Sequence, residues 1–241
     1  MDDKAGTQAQ GRSRIASARH SLIFVGIVAV VTAAGYAAQR RPVAGGGIAA
    51  SHDHVIPIYL SAAVLDWLLL LFTWRGIQSH GVGLGSVIRG RWTSARDVVR
   101  DLVLAALAWG TIAAAAMGVK ALVGHGHEKT LGVLLPRTAL EVVVWLFVCV
   151  TAGFCEELVF RGYVQRQLLA FTGSVTAAVL GQALVFAVMH AYQGWRAVAQ
   201  IAVMGVLFGL LAVWRRTLRV GMIAHGWQDI WAGWLGAVLF R

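Results

Sequence analysis

The sequence predicts an all-α fold, a polytopic transmembrane helical bundle of about seven spans, eight if one is broken or interfacial. Three observations carry this. Of the 241 residues, 58% are hydrophobic and only 13% charged, against about 25% charged in an ordinary soluble domain. Mean hydropathy is +0.69. The apolar residues also gather into runs near the ~20 that a helix needs to cross hydrocarbon. A bilayer core satisfies no backbone polar group, so runs of this length must close their hydrogen bonds internally, as helices do. The 28 glycines and three prolines suit closely packed membrane helices.

The runs fall at about 21–38, 55–74, 98–119, 139–156, 174–192, 197–214 and 220–240. Polar, basic residues 1–20 precede the first, giving the outline of a signal peptide. No small-x-small cleavage site followed by a soluble domain is present, since Arg40-Arg41-Pro42 and further spans come next. The first run therefore reads as a retained signal-anchor, with 1–20 as a cytoplasmic basic tail and 21–138 as the N-terminal transmembrane helices. The gap 75–97, rich in Gly and Arg, reads as an amphipathic or irregular cytoplasmic loop. Residues 139–172 would reach about 51 Å at 1.5 Å per residue, too long for one straight span, which places a break near Gly153 or Gly162. Gly205 and Gly209 form a small-xxx-small pair suited to close helix packing. Cys149 and Cys155 lie on different helix faces, cannot readily form a short-loop disulfide, and read as small buried hydrophobes. Trp227, Trp231 and Trp234 read as core or interfacial-belt residues.

The formal net charge is +10. The basic residues fill the gaps between runs and form no patch of the kind nucleic acid requires. Positive-inside bias and contact with anionic bilayer headgroups account for them, and nucleic acid is excluded as a partner. The N-terminal segment with the second, fourth and sixth gaps carries about twice the Lys and Arg of the alternate gaps. The N-terminus is therefore expected in the cytoplasm. The Ala-, Gly- and Arg-rich composition reads as bacterial, so the expected location is the bacterial cytoplasmic (inner) membrane.

Against this background a few polar side chains stand out, because carboxylates cost several kcal/mol in hydrocarbon and are functional candidates by default. Glu156 and Glu157 end the run Ala139 to Phe154. Glu157 and Arg161 are spaced i, i+4 and stack as an ion pair, while Glu156 points about 100° away and is free to face the bundle interior. Phe186 and His190 share one face of the fifth run, the ring beside the imidazole. His225 and Asp229, again i, i+4, open the last run. One Glu, two His and an Asp suit a borderline metal such as Zn²⁺. A metal-bound water with a carboxylate base beside it outlines a peptide hydrolase. His-Glu-x-x-His, Gly-x-Ser-x-Gly and P-loop signatures are missing. Asp66, mid-way along the second run, is a further carboxylate outside these motifs, read as the partner of an arginine or histidine.

The order Glu156-Glu157-x-x-x-Arg161, Phe186-x-x-x-His190, His225-x-x-x-Asp229 resembles the CPBP family of intramembrane proteases, which includes CAAX-processing endopeptidases and bacterial Abi-type proteins. The resemblance covers roughly 139–240 and makes 139–241 the expected catalytic helical core. It implies a membrane metalloendopeptidase cutting membrane-associated protein or peptide substrates. Glu156 would activate water. His190 and His225 would hold a divalent metal, Zn²⁺ first among candidates, or polarise the scissile carbonyl. Asp229, where the family has Asn or Asp, would assist the metal or the oxyanion. Glu157, Arg161 and Phe186 would be structural. The alternative is a non-proteolytic membrane scaffold or bacteriocin self-immunity protein on the same fold. Oligomeric state is not legible.

Overall fold

The computed structural model describes residues 14–40, 54–124 and 134–239, which are helices and their connections, with no strand among them. In order these are α1 (Ala18–Arg40), α2 (Val55–Gln78), the short α3 (Leu84–Ile88), α4 (Ala95–Val123) and α5 (Ala139–Glu156). A π-helical segment, Glu157–Val164, continues α5 into α6 (Gln165–Thr172); α7 (Val175–Met189), one 3-10 turn (Ala191–Gln193), α8 (Trp195–Arg215) and α9 (Arg219–Leu239) complete the bundle. Five helical stretches are long and apolar enough to cross a membrane: α1, α2, α4, the continuous run from α5 to α6, and α8. The fifth predicted span is a shorter helix, since α7 has 15 residues. The chain is a helical membrane bundle.

Helix starts follow their side chains. Thr138 and Glu141 form a reciprocal capping box at α5, satisfying donors that a helix end otherwise leaves open. Ser94 and Ser174 cap α4 and α7 through the Asp97 and Ala177 amides.

The expected break within 139–172 takes another form. The helix never stops; it widens into the π segment, all eight residues of which are buried. Gly162 lies inside it, and a Cβ there would stand 2.6 Å from Val87 Cγ1 of α3. The widening thus coincides with the place where the 75–97 connection packs into the bundle. That connection is ordered, fixed by Trp92 Nε1 donating to Asp101 (2.9 Å) and by the Leu218 amide donating to the Ile88 carbonyl (2.9 Å).

The other predicted break point, Gly153, is a crossing point. A Cβ there would lie 2.7 Å from both the Gly226 nitrogen and the Met222 carbonyl oxygen, so α5 and α9 meet backbone to backbone. Gly153→Leu is expected to lower stability by at least about 1–3 kcal/mol through overpacking. Gly110→Leu, at a position with open space around it, serves as the tolerated control, and thermal unfolding in detergent reads both.

Helices α7 and α8 approach at Gly205, where a Cβ would touch Ala183 at 3.0 Å. Two amides tie α8 in place: Gln182 Nε2 donates to the Gly205 carbonyl (2.7 Å) and Gln165 Nε2 to that of Gly209 (3.1 Å). At the N-terminal side, helix α1 begins at Ala18, ahead of the apolar run. Ile15 and Ala16 are buried, their amides donating to Gln167 Oε1 at 2.8 and 3.2 Å. The end of the basic tail is therefore docked on α6; residues 1–13 lie outside the described residues. Both cysteines are free and buried.

Candidate active site

Four helices converge below the 3-10 turn. The α5/α9 crossing at Gly153 brings the end of α5 against the second turn of α9, and the two adjacent glutamates there part company. Glu157 is sealed, its side chain 1% exposed, whereas that of Glu156 is 16% exposed.

Glu157 Oε1 lies 2.9 Å from Arg161 Nη1 and 3.0 Å from His225 Nδ1. Gly221 makes room for it, since a Cβ there would meet Glu157 Oε2 at 2.9 Å. The Arg161 guanidinium lies over the rings of Phe186 (4.5 Å) and Phe208 (5.2 Å). Such desolvated cation–π contacts add to the ion pair. Phe208 stacks on His225 at 5.1 Å. The imidazole is thus held on one face by a ring and on Nδ1 by a carboxylate.

With Nδ1 occupied, His225 presents Nε2 to the open side. Glu156 Oε2 stands 3.5 Å away and Asp229 Oδ2 3.8 Å. His190 follows the last residue of α7, and its Nδ1 donates to the Phe186 carbonyl at 2.8 Å. A carbonyl only accepts, so this bond fixes the proton on Nδ1 and leaves Nε2 free. Phe186 packs edge-on against both imidazoles, at 4.9 Å from His190 and 6.0 Å from His225. Tyr192 stacks beside His190 at 6.1 Å.

The structure therefore brings together Glu156, Glu157, Arg161, Phe186, His190, His225 and Asp229. Asp66 joins them from the middle of α2: Glu156, His225 and Asp229 are the charges that act on it. It makes no hydrogen bond or close ion pair among the described residues, and the one basic group acting on it is His225, in line with the histidine partner the sequence suggested. The mid-span carboxylate was itself the available signal for a site residue. Glu157 also does more than neutralise Arg161, because it fixes His225.

The metal expectation meets a different geometry. Among the described residues no three His, Cys, Asp or Glu side chains are grouped so as to hold an ion. The proposed donors His190, His225 and Asp229 do not form such a set, with the Phe186 ring packed against both imidazoles.

No curated protein and no solved structure matches the chain. A family model does, that of the type II CAAX prenyl endopeptidase Rce1-like proteins, over residues 138–231. The matched segment begins at the Thr138 cap and contains Glu156, Arg161, His190, His225 and Asp229. Over residues 138–231 this chain matches the Rce1-like family model, which supports the resemblance to the CAAX (CPBP) proteases.

Proposed function

We propose that the protein is an intramembrane endopeptidase that hydrolyses a peptide bond of a membrane-associated protein or peptide, with Glu156 activating the attacking water. The observation carrying this is the asymmetry around His225: Nδ1 locked to a sealed Glu157 at 3.0 Å, Nε2 facing the partly open Glu156 at 3.5 Å. Glu156 takes a proton from water as the hydroxide adds to the scissile carbonyl carbon. His225, protonated on both nitrogens between Glu157 and Glu156, donates its Nε2–H to the oxyanion, and His190 with Asp229 orients the peptide across the opening. The proton held by Glu156 passes to the departing amine, leaving a carboxylate and an amine. A preorganised donor in a water-poor site contributes strongly to such a step. Asp66 adds a fourth helix to the wall facing the water.

Proteoliposomes containing the full chain should cut membrane-tethered peptides, prenylated and unprenylated ones compared, with products read by mass spectrometry. In ¹⁸O-water one heavy oxygen should enter the new carboxylate. Both Glu156→Gln and His225→Ala should remove cleavage at wild-type abundance; wild-type rates in both would overturn the reading.

The donor geometry calls for no step through a metal. Dialysis against a chelator is expected to leave the rate unchanged. Elemental analysis should find no stoichiometric metal that a His190→Ala/His225→Ala variant loses.

The membrane is taken to be a bacterial inner membrane with the N-terminus cytoplasmic. Arg75, Arg89, Arg91, Arg96, Arg100, Arg215, Arg216 and Arg219 cluster at the bundle end where α1 begins, as the positive-inside bias requires.

A further inference from the structure

That basic end of the bundle holds a cavity of about 180 Å³ between the 84–90 connection, α6 and the α8–α9 turn; neither His225 nor Glu156 lines it. Arg89, Arg166 and Arg216 stand around it, and its walls are apolar, Val87 and Leu169 among them. Other arginines here have a carboxylate beside them: Arg215 and Arg219 share Asp101 with Arg100, at 3.4 and 3.5 Å, and Arg161, which also lines the cavity, pairs with Glu157. Arg89, Arg166 and Arg216 do not. Among the described residues none of them has a carboxylate partner. Arg166 reaches only the Ser86 carbonyl, at 3.5 Å, and the charge acting on it is that of Arg89, a like charge.

The backbone shows the same bias. Among the described residues Arg89 (φ 58) and Arg216 (φ 53) alone combine a side chain with a positive φ. Arg89, with ψ 163, lies in a region that is essentially reserved for glycine. A glycine follows directly at position 90, yet 89 carries arginine. The two strained turns are stitched together, since the single Thr217 hydroxyl hydrogen is shared between the carbonyls of Ile88 (3.0 Å) and Arg89 (2.9 Å). Strain that the surrounding bonds hold in place tends to mark binding sites.

We propose that this cavity binds the phosphate of an anionic phospholipid headgroup. Arg89, Arg166 and Arg216 take the phosphate oxygens. The acyl chains leave over Val175 and Val213, which line the cavity and are 45% and 41% exposed. Three uncompensated charges select an anion, and the apolar walls with a hydrocarbon exit select a lipid over a free ion.

The full chain, purified in detergent and delipidated, is titrated with phosphatidylglycerol, phosphatidylcholine or inorganic phosphate and read by native mass spectrometry. Phosphatidylglycerol should bind at least about ten-fold tighter than phosphatidylcholine. The R89Q/R166Q/R216Q variant should lose roughly fivefold per arginine, the worth of one basic residue at an anionic lipid surface. The R19Q/R75Q/R96Q variant removes equal charge from the same end and should bind within about two-fold of wild type. Equal loss in both variants would reduce the effect to diffuse charge and overturn the site. Displacement of the lipid by inorganic phosphate at equal concentration would overturn the lipid assignment. Arg89→Gly relieves the strained backbone, so it should melt no lower than the parent and still bind phosphatidylglycerol several-fold more weakly. Unchanged binding in that variant would also overturn the proposal.

Discussion

Glu156→Gln is expected to reduce cleavage by about 10²–10⁴-fold, the range a positioned general base supplies. The substitution keeps volume and hydrogen-bonding capacity, removes the base, and leaves Glu157 with Arg161 and His225 untouched. Its side chain is 16% exposed, so folding should be little affected, and substrate binding should persist as an inactive complex detectable by crosslinking. Glu157→Gln separates the two roles. It alters the carboxylate that orients His225, at 3.0 Å from Nδ1, and should lower both abundance and rate. Wild-type turnover in Glu156→Gln would remove the water-activating role.

Arg161→Met is expected to give the largest loss of stability. The guanidinium is 0% exposed and lies 2.9 Å from Glu157 Oε1. Removing it leaves the buried Glu157 charge with only the His225 imidazole beside it, a loss of up to about 3–5 kcal/mol. Replacing both partners by neutral groups leaves no such charge, so Glu157→Gln/Arg161→Met should recover much of the melting temperature lost by Arg161→Met alone. It should not recover the rate, because His225 would then be fixed by an amide. Thermal unfolding in detergent with parallel cleavage assays reads both. Equal melting of the single and double variants would remove the uncompensated-charge account.

Much of this was legible in the sequence, and the parts that were not share a cause. Run length and composition give the bundle because hydrocarbon leaves the backbone few choices. The i, i+4 spacing shows that Arg161 meets Glu157 and Asp229 meets His225, since both pairs lie within one helix. Contacts between helices are another matter. No periodicity says that Glu157 also fixes His225, 68 positions away, or that Asp66 of α2 faces the same opening. The π segment is invisible for a related reason: the strain of widening a helix is compensated by packing, here Val87 against Gly162, and local propensity carries no trace of it. The end of α7 was likewise placed too late. His190 stops the helix where the following Gly194, at φ 89, turns the chain back into α8.

That early stop has a consequence for the surrounding lipid. A helix of 15 residues rises about 22 Å, well short of the ~30 Å hydrocarbon layer it must lie against. Its lipid-facing side chains, Leu180 and Leu184 among them, are 54% and 62% exposed, so this face presents the bilayer with a hydrophobic mismatch. Lipid beside a short apolar wall thins, and polar groups are drawn toward the depth where the wall ends. His190 marks that depth. Such thinning would bring interfacial water toward His190, and the proposed hydrolysis would then need no wide aqueous channel.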